Sequence, residues 1–210
     1  MLKLVVGDRD FSSWSLRPWL LLKQAGLPFE EVPIRLRQPE TKIEILKHSP
    51  SGKVPCLIDG ETVVWDSLAI CEYVAELVPG LWPADRRTRA EARSISAEMH
   101  AGFAPLRKHM EMIVSASKPG EGRTPEVEAD IRRIVAIWES CRRRFAASGP
   151  FLFGAFSVAD AMYAPVVWRF ATYAVELPPA AQAWADTMRV LPAMQEWRAG
   201  ALAEKAARGG

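Results

Sequence analysis

The spacing of apolar positions changes part-way along the chain, from short strand-like runs to sustained helical periodicity. Residues 2–6, Leu-Lys-Leu-Val-Val, form a compact apolar run that reads as a buried strand. After Gly7-Asp8-Arg9-Asp10, the segment Phe11-Ser12-Ser13-Trp14-Ser15 leads into a helix carrying Trp19, Leu20, Leu21 and Leu22. Ser15 is the expected cap, which puts Pro18 in the first turn, and Gly26 followed by Pro28 marks the end. Residues 29–35 alternate apolar and polar positions, so they predict a second strand. Strand, helix and strand at this spacing imply a parallel pair with a right-handed crossover.

A short helix is expected over 41–47. Strands over 56–58 and 62–65 follow, joined at Asp59-Gly60 as an antiparallel hairpin. Residues 67–77 close the unit as an amphipathic helix with Leu68, Ile70, Cys71 and Val74. The order βαβ-αββα resembles the thioredoxin-like architecture. Pro79-Gly80-Leu81-Trp82-Pro83 is a stiff break, and everything beyond it reads as helix. Residues 86–115 predict one long helix, with Ile95, Met99, Phe103, Leu106 and Met110 at helical spacing, broken at Pro119-Gly120-Glu121-Gly122. Thr124-Pro125 opens the next, with Val127, Ile131, Ile134, Val135 and Trp138 on one face. A third starts at Val158, and shorter ones are expected over 180–189 and 192–206. The expected organisation is an α/β domain over 1–79 and an all-helical domain over 84–210.

Composition narrows the class. The 210 residues are 49% hydrophobic, which suits a globular protein with a real core. A net charge of +2 with mixed signs argues against a dedicated nucleic-acid binder, and Arg142-Arg143-Arg144 reads as a solvated helix face. Three cysteines, Cys56, Cys71 and Cys141, lie far apart with no metal-ligand spacing; the odd count suits a reducing compartment. No metal set is expected. Residues 1–6 are too short for a signal peptide and no apolar run approaches membrane-spanning length, so the expectation is a cytoplasmic protein.

Three stretches carry candidate chemistry. The residue before a proline is held extended and proline cannot donate to a ladder, so Val54-Pro55 ends a loop at a strand edge. A trans bond makes it an ordinary strand start; a cis bond turns the Val54 N–H and C=O outward to pair with an extended peptide. Asp66-Ser67 reads as a helix cap, and equally as a helix start able to hold a carboxylate while Asp66 accepts from an ammonium. Ser12, Ser13 and Ser15 stand at the first helix, where a hydroxyl either caps or donates to a thiolate and lowers its pKa.

Together with Ser51-Gly52-Lys53-Val54-Pro55-Cys56-Leu57 and Asp66-Ser67-Leu68-Ala69-Ile70, the first-helix segment resembles the N-terminal domain of cytosolic glutathione transferases. Phe153-Gly154 and Ser157-Val158-Ala159-Asp160 resemble the capping box and staple of that family's helical domain. The resemblance implies a glutathione-binding thioredoxin-like domain and a helical domain shaping a pocket for an electrophilic second substrate. It implies that Val54 pairs with the cysteinyl backbone of glutathione beside Pro55, that Asp66 and Ser67 hold the γ-glutamyl end, and that Lys53 meets the glycyl carboxylate. On the same basis the Val54-Pro55 bond is expected to be cis.

Tyr73, Tyr163 and Tyr173 are all remote from the first helix and no cysteine precedes Cys56, so within this family the chain is similar to the serine type. Ser12 is the first candidate for the thiolate donor, with Ser13 beside it. The zeta-class motif Ser-Ser-Cys-Ser-Trp-Arg resembles Ser12-Ser13-Trp14-Ser15-Leu16-Arg17, with Trp14 in place of the cysteine. Arg169-Phe170 resembles that class's substrate-carboxylate arginine, at a shorter spacing from Pro165. Conjugation is the expected activity; isomerisation of the maleylacetoacetate type, dehalogenation and non-catalytic binding are the alternatives. Met99, Phe103, Arg107 and Met110 are the expected second-substrate residues, while His100 and His109 read as surface residues. A two-fold dimer is implied, with Trp65 and Met112 as contributors, and neither a nucleic acid nor a membrane as partner.

Overall fold

The computed structural model describes residues 1–209. Its α/β unit contains β1 (Leu2–Gly7), α1 (Ser13–Gln24), β2 (Phe29–Ile34), α2 (Thr41–Leu46), β3 (Cys56–Asp59), β4 (Thr62–Trp65) and α3 (Ser67–Leu77). The strands lie in the order β2-β1-β3-β4. β1 runs parallel to β2, with Leu2 opposite Phe29, and antiparallel to β3, with Leu4 opposite Leu57. β4 closes the sheet antiparallel to β3, with Cys56 opposite Trp65. Because side chains alternate along a strand, β1 is buried on both faces. Leu2, Leu4 and Val6 join Leu16, Leu20, Ile70 and Val74 in the main core, whereas Val5 meets Ile34, Ile45 and Cys56 on the other face.

The first helix starts earlier than the sequence suggests. Ser12 is its N-cap residue and Ser15 lies inside the first turn, fully buried. The Ser15 hydroxyl accepts from Gly7 N at 3.1 Å and from Ser12 Oγ at 2.7 Å. It therefore ties the end of β1 to the helix instead of capping it, and Pro18 falls in the helix interior. Gly26 ends the helix as expected: it sits at φ 67°, and Leu27 N donates back to Leu22 O at 3.1 Å.

The helical part comprises α4 (Arg86–Ala101), α5 (Ala104–His109), α6 (Pro125–Phe145), α7 (Val158–Thr172), α8 (Pro179–Val190) and α9 (Pro192–Ala207). The single helix expected over 86–115 is broken after Ala101. Phe103 adopts the left-handed conformation at φ 60°, ψ 39°, and Pro105 sits in the first turn of α5, where its missing N–H is tolerated. The chain beyond α5 is instead pinned to the β1–α1 loop. Val114 N donates to Asp10 O at 3.2 Å, and Ser115 gives Asp10 two further hydrogen bonds through its N–H and its hydroxyl.

Helix α7 is buried almost throughout and packs on α1, α4 and α8. Asp160 anchors it. Ser157 N and Ser157 Oγ donate to its Oδ2, and Leu152 N and Trp184 Nε1 to its Oδ1, all at 2.9 Å. Burial raises the Asp160 carboxyl above its ordinary pKa, against the pull of those four donors. Arg142, expected on a solvated face, is buried, because its guanidinium turns in to the carbonyls of Phe151 and Gly149.

Candidate functional site

A cavity of about 580 Å³ opens where the loop before β3 and the start of α3 meet α1 and α4. Lys53, Val54, Pro55, Asp66 and Ser67 all line it, so the structure brings together the two stretches that the sequence separates by a hairpin. The Val54-Pro55 bond is cis.

Asp66 stands at φ 77°, a conformation that L side chains rarely adopt. Its Oδ1 caps α3, accepting from Leu68 N at 2.8 Å and Ala69 N at 3.3 Å. Oδ2 is thereby directed away from the helix, and it meets His100 Nε2 at 3.2 Å. Ser67 Oγ accepts from Arg17 Nη1 at 3.2 Å.

Trp14 of α1 and His100 of α4 line the same cavity. The guanidinium carbons of Arg17 and Arg107 lie 4.3 Å and 4.6 Å from the Trp14 ring centroid, and the His100 ring meets Trp14 edge-on at 5.3 Å. These are cation–π and edge contacts that fix the indole. Arg17 is fully buried, and its Nε and Nη2 have no hydrogen-bond partner among the described residues. Burial, with repulsion from Arg107 and Arg169, lowers its pKa to about 9 against the opposing pull of Cys71 and Asp66. Burial likewise brings Arg169 to about 10, with Arg107 adding to the shift. All three guanidiniums are still cations at neutral pH, so the site carries a concentrated positive field.

Ser12 and Ser13 are each 5% exposed, and neither is among the residues that line the cavity. Ser12 Oγ donates to Ser15, whereas Ser13 Oγ accepts from Arg169 Nη2 at 3.3 Å. Met99, Phe103 and Met110 belong to the hydrophobic core and do not line the cavity. Helical spacing marked their buried face correctly, but that face packs inward. Arg107 reaches the site only through Trp14; its side chain is otherwise held by the carbonyls of Met99, Gly102 and His100. Among the described residues no cluster of side chains could hold a metal ion, and no helix is long and apolar enough to cross a membrane.

Residues 11–77 match the family described as "Glutathione S-transferase, N-terminal domain", and residues 122–200 match "Glutathione S-transferase, C-terminal domain". The maleylacetoacetate isomerase of Rattus norvegicus is 33% identical over 178 residues, an alignment covering 81% of this chain and 79% of that protein. The chain belongs to the glutathione S-transferase family. A zeta-class glutathione S-transferase from Euphorbia esula is 32% identical over 72% of this chain and 66% of its own length. The chain spans 46% to 66% of the lengths of this and three further curated relatives. A glutathione transferase homolog from Burkholderia, solved with bound glutathione, superposes with a TM-score of 0.70 at 22% identity, covering 96% of this chain and 98% of its own. At that identity the likeness speaks for the fold.

Two expectations, for His100 and for Met112, need correction. His100 is not a free surface residue but part of the cavity wall, paired with Asp66. No local pattern could reveal this, because the contact exists only once α4 closes on the start of α3. Met112 is 2% exposed and so is a core residue rather than a dimer contact, whereas Trp65 is 48% exposed and lines the cavity rim.

Proposed function

We propose that this chain binds glutathione in the cavity between Val54 and Asp66 and presents its thiolate to an electrophilic small molecule. One observation carries the reading. A single cavity is lined by Val54 and Pro55, by Asp66, whose Oδ2 takes no part in the helix cap, by Ser67 at the α3 N-terminus and by Lys53. An extended tripeptide with an ammonium and a carboxylate at one end and a second carboxylate at the other matches that set of partners. Residues 1–79 then form the ligand-binding domain, and residues 84–210 form the helical domain that shapes the approach of the electrophile.

Ser12 or Ser13 donates the hydrogen bond that holds the sulfur as thiolate. The bonding pattern favours Ser13, since its oxygen accepts from Arg169 and its own proton stays free, whereas the Ser12 proton is directed to Ser15. The positive field of Arg17, Arg107 and Arg169 acts in the same direction. The thiolate sulfur attacks the electrophilic carbon, and in a substitution the leaving group departs with the bonding pair. Arg107 orients Trp14 at the cavity surface. The zeta-class and isomerase relatives support a second reading, glutathione-dependent cis–trans isomerisation, and the family also includes a dehalogenase relative. The enzyme acts as a two-fold dimer in the cytoplasm, a reading supported by its three free thiols and by the half-exposed Trp65.

Retention on immobilised glutathione, with turnover of an aryl halide and of maleylacetone, tests these readings together. Turnover of the halide favours conjugation, and turnover of maleylacetone alone favours isomerisation. Retention without turnover of either substrate would leave a binding protein.

A further inference from the structure

We propose that Glu204 is a positioning residue for thiol activation: from the last turn of α9 its carboxylate holds the amides of Arg9 and Asp10, and so sets where the turn before α1 places the hydroxyls of Ser12 and Ser13. The inference rests on the reading that one of those hydroxyls holds the glutathione sulfur as thiolate.

The hydrogen bonds supply the parts. Asp8 O closes the turn from within, accepting from Phe11 N at 3.2 Å and from Ser12 N at 2.8 Å. Arg9 and Asp10 lie between, and each of their backbone polar groups is bonded to the helical unit. Glu204 Oε1 accepts from Arg9 N at 3.1 Å, and Oε2 accepts from Asp10 N at 3.4 Å. Trp197 Nε1 of the same helix donates to Arg9 O at 2.7 Å, and Val114 N donates to Asp10 O at 3.2 Å. A carboxylate that spans two successive amides fixes the orientation of the turn as well as its position, because each oxygen is committed to one N–H.

Helix α9 is shaped for this contact. Gly200 stands inside the helix one turn before Glu204, where glycine is unfavourable. A Cβ there would lie 2.5 Å from Arg9 Cδ and 2.6 Å from Arg9 Nη1, so the missing side chain makes room for Arg9 against the helix. The Arg9 guanidinium then donates to Glu196 O at 3.3 Å and pairs with Glu31 on β2 at 2.7 Å. Asp10 is held as firmly: it is 2% exposed, and its carboxylate accepts from Ser115 N at 2.8 Å and Ser115 Oγ at 3.0 Å. The serines follow two and three positions after Asp10, so the helical unit sets their place through the backbone. A hydrogen bond to the sulfur depends on that place, since a misplacement of about 1 Å is enough to cost about 10²-fold in rate.

The experiment uses the full chain with glutathione and an aryl halide. The thiol pKa of bound glutathione is read from the ultraviolet absorbance of the thiolate, beside kcat and the KM for glutathione. Glu204→Gln keeps the shape of the side chain but turns an N–H donor toward one of the two amides. It should raise the bound-thiol pKa by about one unit and lower kcat at neutral pH by about tenfold. The KM for glutathione should change less than about twofold, because the Val54 and Asp66 stretches are untouched. Ser115→Ala removes one of the bonds on Asp10 and should shift both quantities in the same direction by less. Glu196→Gln breaks the exposed pair with Lys23, another contact of α9 with α1, and should move neither. Should Glu204→Gln fail to fold, the contrast between Ser115→Ala and Glu196→Gln decides. A bound-thiol pKa unchanged in Glu204→Gln and Ser115→Ala, or shifted as much by Glu196→Gln, overturns the positioning role. A wild type that binds no glutathione, or binds it with an ordinary thiol pKa, overturns instead the reading beneath it.

Discussion

At the scale of single residues, the site divides its hydroxyls by what their protons are doing. Ser15 and Ser12 are linked to each other and to Gly7, a buried arrangement that fixes the start of α1. Among the described residues, the Ser13 hydroxyl has the one hydrogen bond it accepts from Arg169. Ser13→Ala should therefore lower kcat/KM by about 10²-fold, the effect typical of removing one preorganised donor. Ser12→Ala should instead cost about 1 kcal/mol of stability, as for a buried hydrogen bond, with a much smaller kinetic effect. Steady-state kinetics beside urea unfolding separates the two, and equal kinetic losses in both variants would contradict the division. The sequence identified the serines as the chemical candidates through the resemblance to the family, because no tyrosine and no cysteine stands near the first helix. It put Ser12 first, whereas the bonding pattern that favours Ser13 depends on Arg169, which lies 156 positions away in the chain. His100 was hidden for the same reason.

At the scale of elements, the legible features were those with a local physical cause. The Asp59-Gly60 turn, the Asp66 cap and the Thr124-Pro125 helix start are each determined by neighbours in sequence, and each appears in the structure. The break between α4 and α5 was missed because the apolar positions keep helical spacing across it while the backbone does not. Pro105 was the available signal, since a proline there removes a helix-interior donor. The Asp160 anchor is the element whose loss should matter most. Asp160→Ala leaves buried donors on Leu152, Ser157 and Trp184 without an acceptor, so the expected cost is about 3 kcal/mol or more. Ser157→Ala, which removes one capping hydroxyl, should cost about 1 kcal/mol. Chemical denaturation midpoints test the ordering, and a milder effect at Asp160 than at Ser157 would contradict it.

At the scale of the molecule, the two units are joined around the cavity rather than merely placed beside it. Arg169 of α7 reaches Ser13, His100 of α4 reaches Asp66, and the carboxylate of Glu204 in α9 accepts from Arg9 N and Asp10 N in the loop before α1. The composition and periodicity of the chain were enough to indicate an α/β unit followed by helices. The contacts between them were not legible, because they are made by polar side chains at positions that periodicity does not mark. The central claim is that these contacts frame a glutathione site, and a crystal structure with glutathione tests it most directly. The account predicts the ligand extended along Val54, its ammonium within hydrogen-bond distance of Asp66 Oδ2, its γ-glutamyl carboxylate at the α3 N-terminus and its sulfur beside Ser13. Glutathione bound elsewhere, or bound in the cavity with its sulfur directed away from both Ser12 and Ser13, would contradict it.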